Sequence, residues 1–257
     1  MKEGDLDLAP IGNCAVSALL DANACFVWAC VPRVDGDPAF SALLSGRDAV
    51  DEGTSGVWAI DVEDRVETTQ SYERNSAILR TTVRDKRGGV LEIIDFCPRF
   101  RRYNRVYRPL AFARILKPIA GAPRIRMRLA PTANWGERLA ESTIGSNHIR
   151  YLCAGATVRL TTTAPVSLIA AQHPFRVERD LVFFLGPDEP FQGDVRETML
   201  SMYENTRNYW QEWARTLGTP LEWQADVIRA ANALKLCVYE ETGAIDAALT
   251  TSIPEAP

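Results

Sequence analysis

A chain of 257 residues, 46% hydrophobic and 24% charged, with a formal net charge of −4, has the make-up of an ordinary globular protein. Such a length buries roughly 70–75% of the unfolded surface, so the core needs neither disulfides nor metal. No stretch approaches the roughly 18 apolar residues of a membrane span, and no basic region followed by an apolar core opens the chain.

No membrane partner and no secretory signal are therefore expected. The six cysteines (14, 25, 30, 97, 153 and 237) form no CxxC pair and have no histidine cluster beside them. The reading is small buried apolar side chains in a reduced cytoplasm, with no structural zinc.

The first strong strand signal is Ala24-Cys25-Phe26-Val27-Trp28-Ala29-Cys30-Val31, an almost unbroken apolar run that suits a strand covered on both faces. Residues 37–44 predict a short helix, with Asp37 as cap and Pro38 at the first position. Residues 77–84 and 90–96 predict strands joined by the hairpin loop Asp85-Lys86-Arg87-Gly88-Gly89. Strands also fit 110–116, 148–152, 157–161, 166–170 and 181–185. Residues 124–129 alternate strictly, which puts Ile125, Met127 and Leu129 inward and Arg124, Arg126 and Arg128 outward. The same period buries Trp28, Leu160 and Phe183.

Many short strands with regular turns predict a mainly β fold, a two-layer antiparallel β-sandwich. At Asp194 the period changes. Asp194 with Glu197 reads as a capping box opening a helix whose stripe is Val195, Met199, Met202, Tyr203, Trp210, Trp213 and Leu217, ended by Gly218. A second helix is predicted from near Pro220 through Val227, Ala231, Leu234 and Val238 to Gly243. The Met and Trp stripe reads as packing and not as a cofactor box.

Catalytic motifs of the nucleophile-elbow, phosphate-loop, dinucleotide and zinc-protease kinds are absent. No cofactor and no metal are expected. His148 and His173 read as structural or surface residues. Asp61, Glu63 and Asp64, or Glu240 and Glu241, are paired in sequence. Glycoside hydrolysis needs two carboxyl groups facing each other across a bond, and helix neighbours point about 100° apart. Glu240 and Glu241 read better as a solvated helix end.

The run Arg99-Phe100-Arg101-Arg102-Tyr103-Asn104-Arg105-Val106-Tyr107-Arg108 mixes cations with rings, as single-strand nucleic-acid surfaces do. In an acidic chain, a basic loop docking on an acidic neighbouring surface explains it as well, and nucleic acid is the weaker reading.

Several segments resemble glycoside hydrolase family 15, the family of glucoamylases and bacterial trehalase-like enzymes. Ile11-Gly12-Asn13-Cys14-Ala15-Val16 looks like its opening Ile-Gly-Asp/Asn segment. Phe26-Val27-Trp28-Ala29-Cys30-Val31-Pro32-Arg33-Val34-Asp35 is similar to Ile-Asp-Trp-Leu-Cys-Leu-Pro-Arg-Phe-Asp, and Pro38-Ala39-Phe40 continues that match. Ile94-Asp95-Phe96-Cys97-Pro98-Arg99 resembles Thr-Asp-Phe-Met-Pro, and Leu129-Ala130-Pro131 through Asn134-Trp135-Gly136 resembles Arg-Pro…Asp-Tyr-Gly. Tyr239-Glu240-Glu241-Thr242-Gly243-Ala244-Ile245 and Thr250-Thr251-Ser252-Ile253-Pro254-Glu255 resemble a helix end, a short strand and a Thr-Thr-Ser-Leu-Pro-Glu loop. Asn23-Ala24-Cys25 departs from the commoner Asp-Gly-Ser turn, which bears on turn geometry more than on function.

The resemblance implies residues 1–190 as an N-terminal antiparallel β-sandwich and 191–219 as a helical linker. It implies 220–257 as the beginning of an (α/α)6 catalytic barrel, truncated at Pro257 ahead of the two catalytic glutamates. The expectation is the non-catalytic front portion of an inverting α-glucosidic-bond hydrolase, supporting the barrel and inactive alone, so no catalytic residue is assigned. Trp135, Thr250, Thr251, Ser252 and Glu255 are expected near the substrate. The implied partners are an α-glucan or trehalose-type substrate in the full enzyme and the catalytic domain. A homo-oligomer formed through the exposed helix stripe is a further possibility. The alternative function is a carbohydrate-binding sandwich that stacks sugars on an exposed Trp58 or Trp135.

Overall fold

The computed structural model describes residues 7–45 and 56–250. In chain order it opens with β1 (Ala9–Gly12), β2 (Ser17–Leu20), β3 (Phe26–Cys30), β4 (Pro38–Phe40), the short helix α1 (Ala42–Ser45) and β5 (Val57–Val62). Next come β6 (Arg65–Tyr72), β7 (Leu79–Asp85) and β8 (Val90–Phe96), which form an antiparallel meander, then the hairpin of β9 (Phe100–Arg102) and β10 (Arg105–Tyr107), and then β11 (Phe112–Ala120) and β12 (Arg124–Ala130), which belong to different sheets. Then come β13 (Thr132–Ala133), β14 (Arg138–Leu139), β15 (Glu141–Ile144), β16 (His148–Cys153) and β17 (Ala156–Thr162). The chain continues through α2 (Val166–Ala170), β18 (Phe175–Arg176), β19 (Leu181–Pro187), α3 (Val195–Arg215), α4 (Gln224–Leu236), β20 (Val238–Tyr239) and β21 (Ala244–Ile245).

The strands build two antiparallel layers. One sheet runs β1-β2-β3-β5-β12-β18 with β4 paired to β3, and the other runs β15-β16-β17-β19-β11-β8-β7-β6. A single apolar cluster fills the space between them. The first sheet contributes Phe26, Trp58, Ile125 and Met127, and the second Leu79, Ile93, Phe112, Leu160 and Phe183. This is the expected sandwich, and Trp28, Ile125, Met127, Leu129, Leu160 and Phe183 are all buried.

The second sheet is covered on its outer face as well. Ile94, Ala113, Ile115, Val182 and Phe184 point outward and meet Met199, Met202 and Tyr203 of α3. That is why β8, β11 and β19 read as nearly continuous apolar runs instead of alternating ones. Asp194 caps α3 as its sequence predicts, its carboxylate accepting from the Glu197 N–H at 2.8 Å.

One ion pair crosses this core. Arg114 and Asp95 face each other in register on β11 and β8, both at 0% exposure, with Nε to Oδ1 at 2.6 Å. The guanidinium also lies 4.8 Å from the Phe26 ring and 4.9 Å from Trp58, and donates to the carbonyls of Trp58 and Ala24. Ala24 holds the left-handed turn (φ 59°) at the departure from Asp-Gly-Ser.

Several expectations are corrected. Residues 37–44 are not one helix: Pro38–Phe40 pairs with β3, and the helix starts only at Ala42. Pro38 tolerates an edge strand, where no ladder donor is required of it. Residues 166–170 are helix and not strand. Val166 and Ile169, three apart, turn one face to the core, and five apolar residues are too few for periodicity to distinguish the two. Arg128 is buried instead of solvent-facing, because Asp61 on the neighbouring β5 binds it at 2.7 Å as well as Arg126 at 3.0 Å.

The second helix is shorter than expected. It begins at Gln224, after Trp223 in the left-handed region, and ends at Leu236. Val238 belongs to the β20–β21 hairpin, which closes through Gly243 at φ 77°.

Candidate functional site

Three structures join residues far apart in sequence, and the first and third of them meet the segment 28–37. The first is the β13–β14 turn. Asn134 and Trp135 are both left-handed (φ 55° and 59°), a conformation that costs a non-glycine residue about 1–2 kcal/mol. The Asp37 carboxylate accepts their backbone N–H groups at 2.6 and 2.8 Å, which offsets that cost. Gly136 follows at φ 91°, where a Cβ would come within 2.9 Å of the Ser41 hydroxyl oxygen. The clamp leaves the Trp135 indole 46% exposed.

The second structure joins the start of the chain to its last hairpin. Asn13, at 0% exposure, donates to the carbonyls of Pro98 and Pro109 at 3.0 and 2.8 Å and accepts from the N–H groups of Ala15 and Val16. Arg99 donates to the Asn13 carbonyl at 2.6 Å, lies 4.7 Å from the Tyr209 ring and pairs with Glu240. Arg108 and Lys235 reach the same carboxylate, each at 3.4 Å. Burial pushes the Glu240 carboxyl up, but the hydrogen bond and charge of Arg99, helped by Lys235, win and hold it below the usual value.

Glu240 is thus an ion-pair hub and not a solvated helix end. The arginine run splits accordingly. Its two ends, Arg99 and Arg108, dock on this acidic residue, while Arg101, Arg102 and Arg105 stay exposed on the β9–β10 hairpin.

The third structure lies between the segment 28–37 and the C-terminal turn. Trp28 donates its indole N–H to the Leu249 carbonyl at 3.1 Å. Arg33 grips Asp35 through two bonds of 2.8 Å and lies 5.9 Å from the centroid of the Tyr239 ring. Tyr239 donates its hydroxyl to Glu241, and that bond is the main reason its phenol is raised above the ordinary value. The Asp246 carboxyl is also raised, first by burial and then by the neighbouring charge of Asp35. The segment thereby collects guanidinium, carboxylate and phenol groups around the Tyr239 ring. Among the described residues no group of three or more His, Cys, Asp or Glu side chains is placed to hold a metal ion.

Of the residues expected near a substrate, Trp135 is exposed on its clamped turn and Thr250 is half-buried beside Leu249. Both adjoin the segment 28–37, Trp135 through Asp37 and the Leu249–Thr250 turn through Trp28. Thr251, Ser252 and Glu255 lie outside the described residues. Trp58 is fully buried and cannot stack a sugar. Sequence reasoning missed Asn13, Arg99 and Glu240 as one cluster, although each lies in a segment that carries the family resemblance.

The trehalase-like N-terminal domain model matches residues 7–182. Curated relatives include a trehalase of Thermoplasma volcanium, 26% identical over 262 residues covering 96% of this chain and 39% of that protein. A trehalase of Thermoplasma acidophilum is 24% identical over 244 residues, covering 93% and 41%. A trehalase of Mycolicibacterium smegmatis is 26% identical over 286 residues, covering 98% and 40%. The chain thus spans about two fifths of the length of these relatives. No solved structure matches with comparable significance.

Proposed function

The chain belongs to the trehalase-like N-terminal family, and from that membership we propose that it is the non-catalytic N-terminal portion of an α-glucosidic-bond hydrolase acting on a trehalose-type substrate. In this reading residues 1–190 are the supporting sandwich, 191–219 the linker and 220–257 the first part of a helical catalytic domain. Such a domain is the (α/α)6 barrel of the glycoside hydrolase 15 type, where the acid and base glutamates reside. The loop after β3, with Trp135 and the turn at Thr250, then forms part of the rim of the substrate mouth, and Thr251, Ser252 and Glu255 continue it. The six cysteines, all unpaired, favour the cytoplasm as the place of work.

The observation that carries the proposal is the orientation of α4. Its sandwich-facing side is Arg229, Asn232 and Leu236, while Trp223 and Leu234 point outward at 73% and 70% exposure. Val227 and Leu234 are seven residues apart, two helical turns less about 20°, and so share one stripe, with Trp223 ahead of it at the left-handed cap position. Leu221 and Ile245 nearby are exposed too. An apolar helix face turned away from its own core is a surface shaped to receive other helices. The test is hydrolysis: purified chain incubated with trehalose, maltose and starch is expected to release no glucose above buffer. Turnover at ordinary enzymatic rates, 1 s⁻¹ or more as a rough scale, would refute the non-catalytic assignment.

A second reading, a carbohydrate-binding sandwich, is favoured by the exposed Trp135 on its rigid turn. Calorimetry with maltooligosaccharides distinguishes it. Heat that disappears in Trp135→Ala supports sugar binding, and no heat at millimolar sugar removes it.

A further inference from the structure

Where α4 meets the turn between β6 and β7, two side chains each leave one polar atom without a hydrogen-bond partner among the described residues. Arg229 donates through Nη1 to the Ser76 carbonyl at 3.2 Å, and Asn232 donates through Nδ2 to the same carbonyl at 3.3 Å. Their other ends, Arg229 Nη2 and Asn232 Oδ1, are buried and make no hydrogen bond. Asn232 as a whole is 1% exposed. Exchanging its amide oxygen and nitrogen gives no relief, since the oxygen would then face the Ser76 carbonyl. Leaving a buried donor or acceptor unmade is costly, and native structures rarely tolerate it without a reason.

Both residues line a cleft of about 240 Å³ between the turn and the helix, with Gln224 and Ala225 exposed at its mouth. The charge inside is one-sided. Arg229 stacks 3.7 Å from the centroid of the Tyr72 ring and has no carboxylate partner among the described residues. Burial depresses its affinity for its proton, with Tyr72 opposing only in part. Glu73, the carboxylate at the cleft wall, is already engaged by Arg80 at 3.0 Å and by the Tyr203 hydroxyl at 2.8 Å. Arg74 adds a further exposed positive charge.

We propose that this cleft is a binding site for a small anion that also carries a hydroxyl group, a sugar acid or a sugar phosphate. In the free chain both atoms are covered, so binding turns the two side chains toward the cleft; the ligand's anionic oxygen then accepts from Arg229 Nη2, and its hydroxyl donates to Asn232 Oδ1. A bare anion supplies only the acceptor, and a neutral sugar leaves the guanidinium without counter-charge. The two requirements together select the class. Bound there, the ligand bridges the sandwich and α4, so it also fixes the helix on its sandwich-facing side.

Calorimetry on the 257-residue chain tests this with gluconate and glucose 6-phosphate as the two anionic arms, and glucose and sulfate as controls. At least one arm is expected to bind about tenfold or more tighter than both controls, and the stronger arm identifies carboxylate or phosphate as the source. Arg229→Gln is expected to weaken that ligand at least tenfold, the scale of one charged hydrogen bond. Ala225→Trp fills the mouth at an exposed position, so it should abolish binding while leaving thermal unfolding of the free chain unchanged. It keeps the test decisive if Arg229→Gln loosens the helix. The proposal is overturned if neither anion binds, if glucose or sulfate binds equally well, or if Ala225→Trp retains full affinity.

Discussion

Arg114 and Asp95 illustrate what a single pair of residues decides in this fold. Each charge interrupts an apolar strand, Phe112–Ala120 and Val90–Phe96, and the register brings them opposite each other at zero exposure. Removing one partner leaves an uncompensated buried charge, so Arg114→Met should cost about 3–5 kcal/mol in urea unfolding. The double change Arg114→Met with Asp95→Leu should recover most of that loss, because it removes both desolvation penalties together. The signal was present in the sequence as two charges in buried runs, but pairing them needs the register, which no local pattern supplies.

Glu240 gives a second residue-scale outcome. Its folded-state carboxyl is held below the usual value, so its ion pairs contribute stability above the unfolded pKa, about 4.3. That contribution is lost as the pH falls through the lower, folded-state value. Unfolding of the docked hairpin, followed by tryptophan fluorescence, should therefore become easier below about pH 4.3 in the wild type. Glu240→Gln should be weaker at neutral pH and flatter across the acid window. An identical pH profile for the two proteins would show that Arg99 and Lys235 do not hold that carboxylate.

At the scale of elements, the helices α3 and α4 behave differently although both were legible as periodic stripes. For α3 the stripe and the buried face coincide: Met199, Met202, Tyr203 and Trp210 all pack inward. For α4 the stripe of Val227, Ala231 and Leu234 was legible, but the helix docks through the opposite and more polar face of Arg229, Asn232 and Leu236. Periodicity states that a helix has an apolar side and not which neighbour will cover it. Met202→Ala should therefore cost about 2–5 kcal/mol, as core truncations do. Leu234→Glu should change stability by less than about 0.5 kcal/mol and reduce any self-association seen by sedimentation. A large destabilisation by Leu234→Glu in a monomer would place that side chain in a contact absent from the fold described above.

For the molecule as a whole, the strand pattern conveyed the sandwich, because alternation and double-sided burial are local signals. The site was less legible. Trp135 stood out as an aromatic in a turn, but its Asp37 clamp spans 98 positions and the Arg99–Glu240 pair spans 141. The central claim is that the sandwich with α3 is self-sufficient while α4 and the hairpin beyond it await a helical partner. Hydrogen exchange tests it most directly. In a chain shown to be monomeric, amides of α4 and of 238–250 should exchange much faster than those of β12, β19 and α3, because few apolar contacts hold the former. Equal protection across all of them would contradict the claim and make α4 an integral part of the domain.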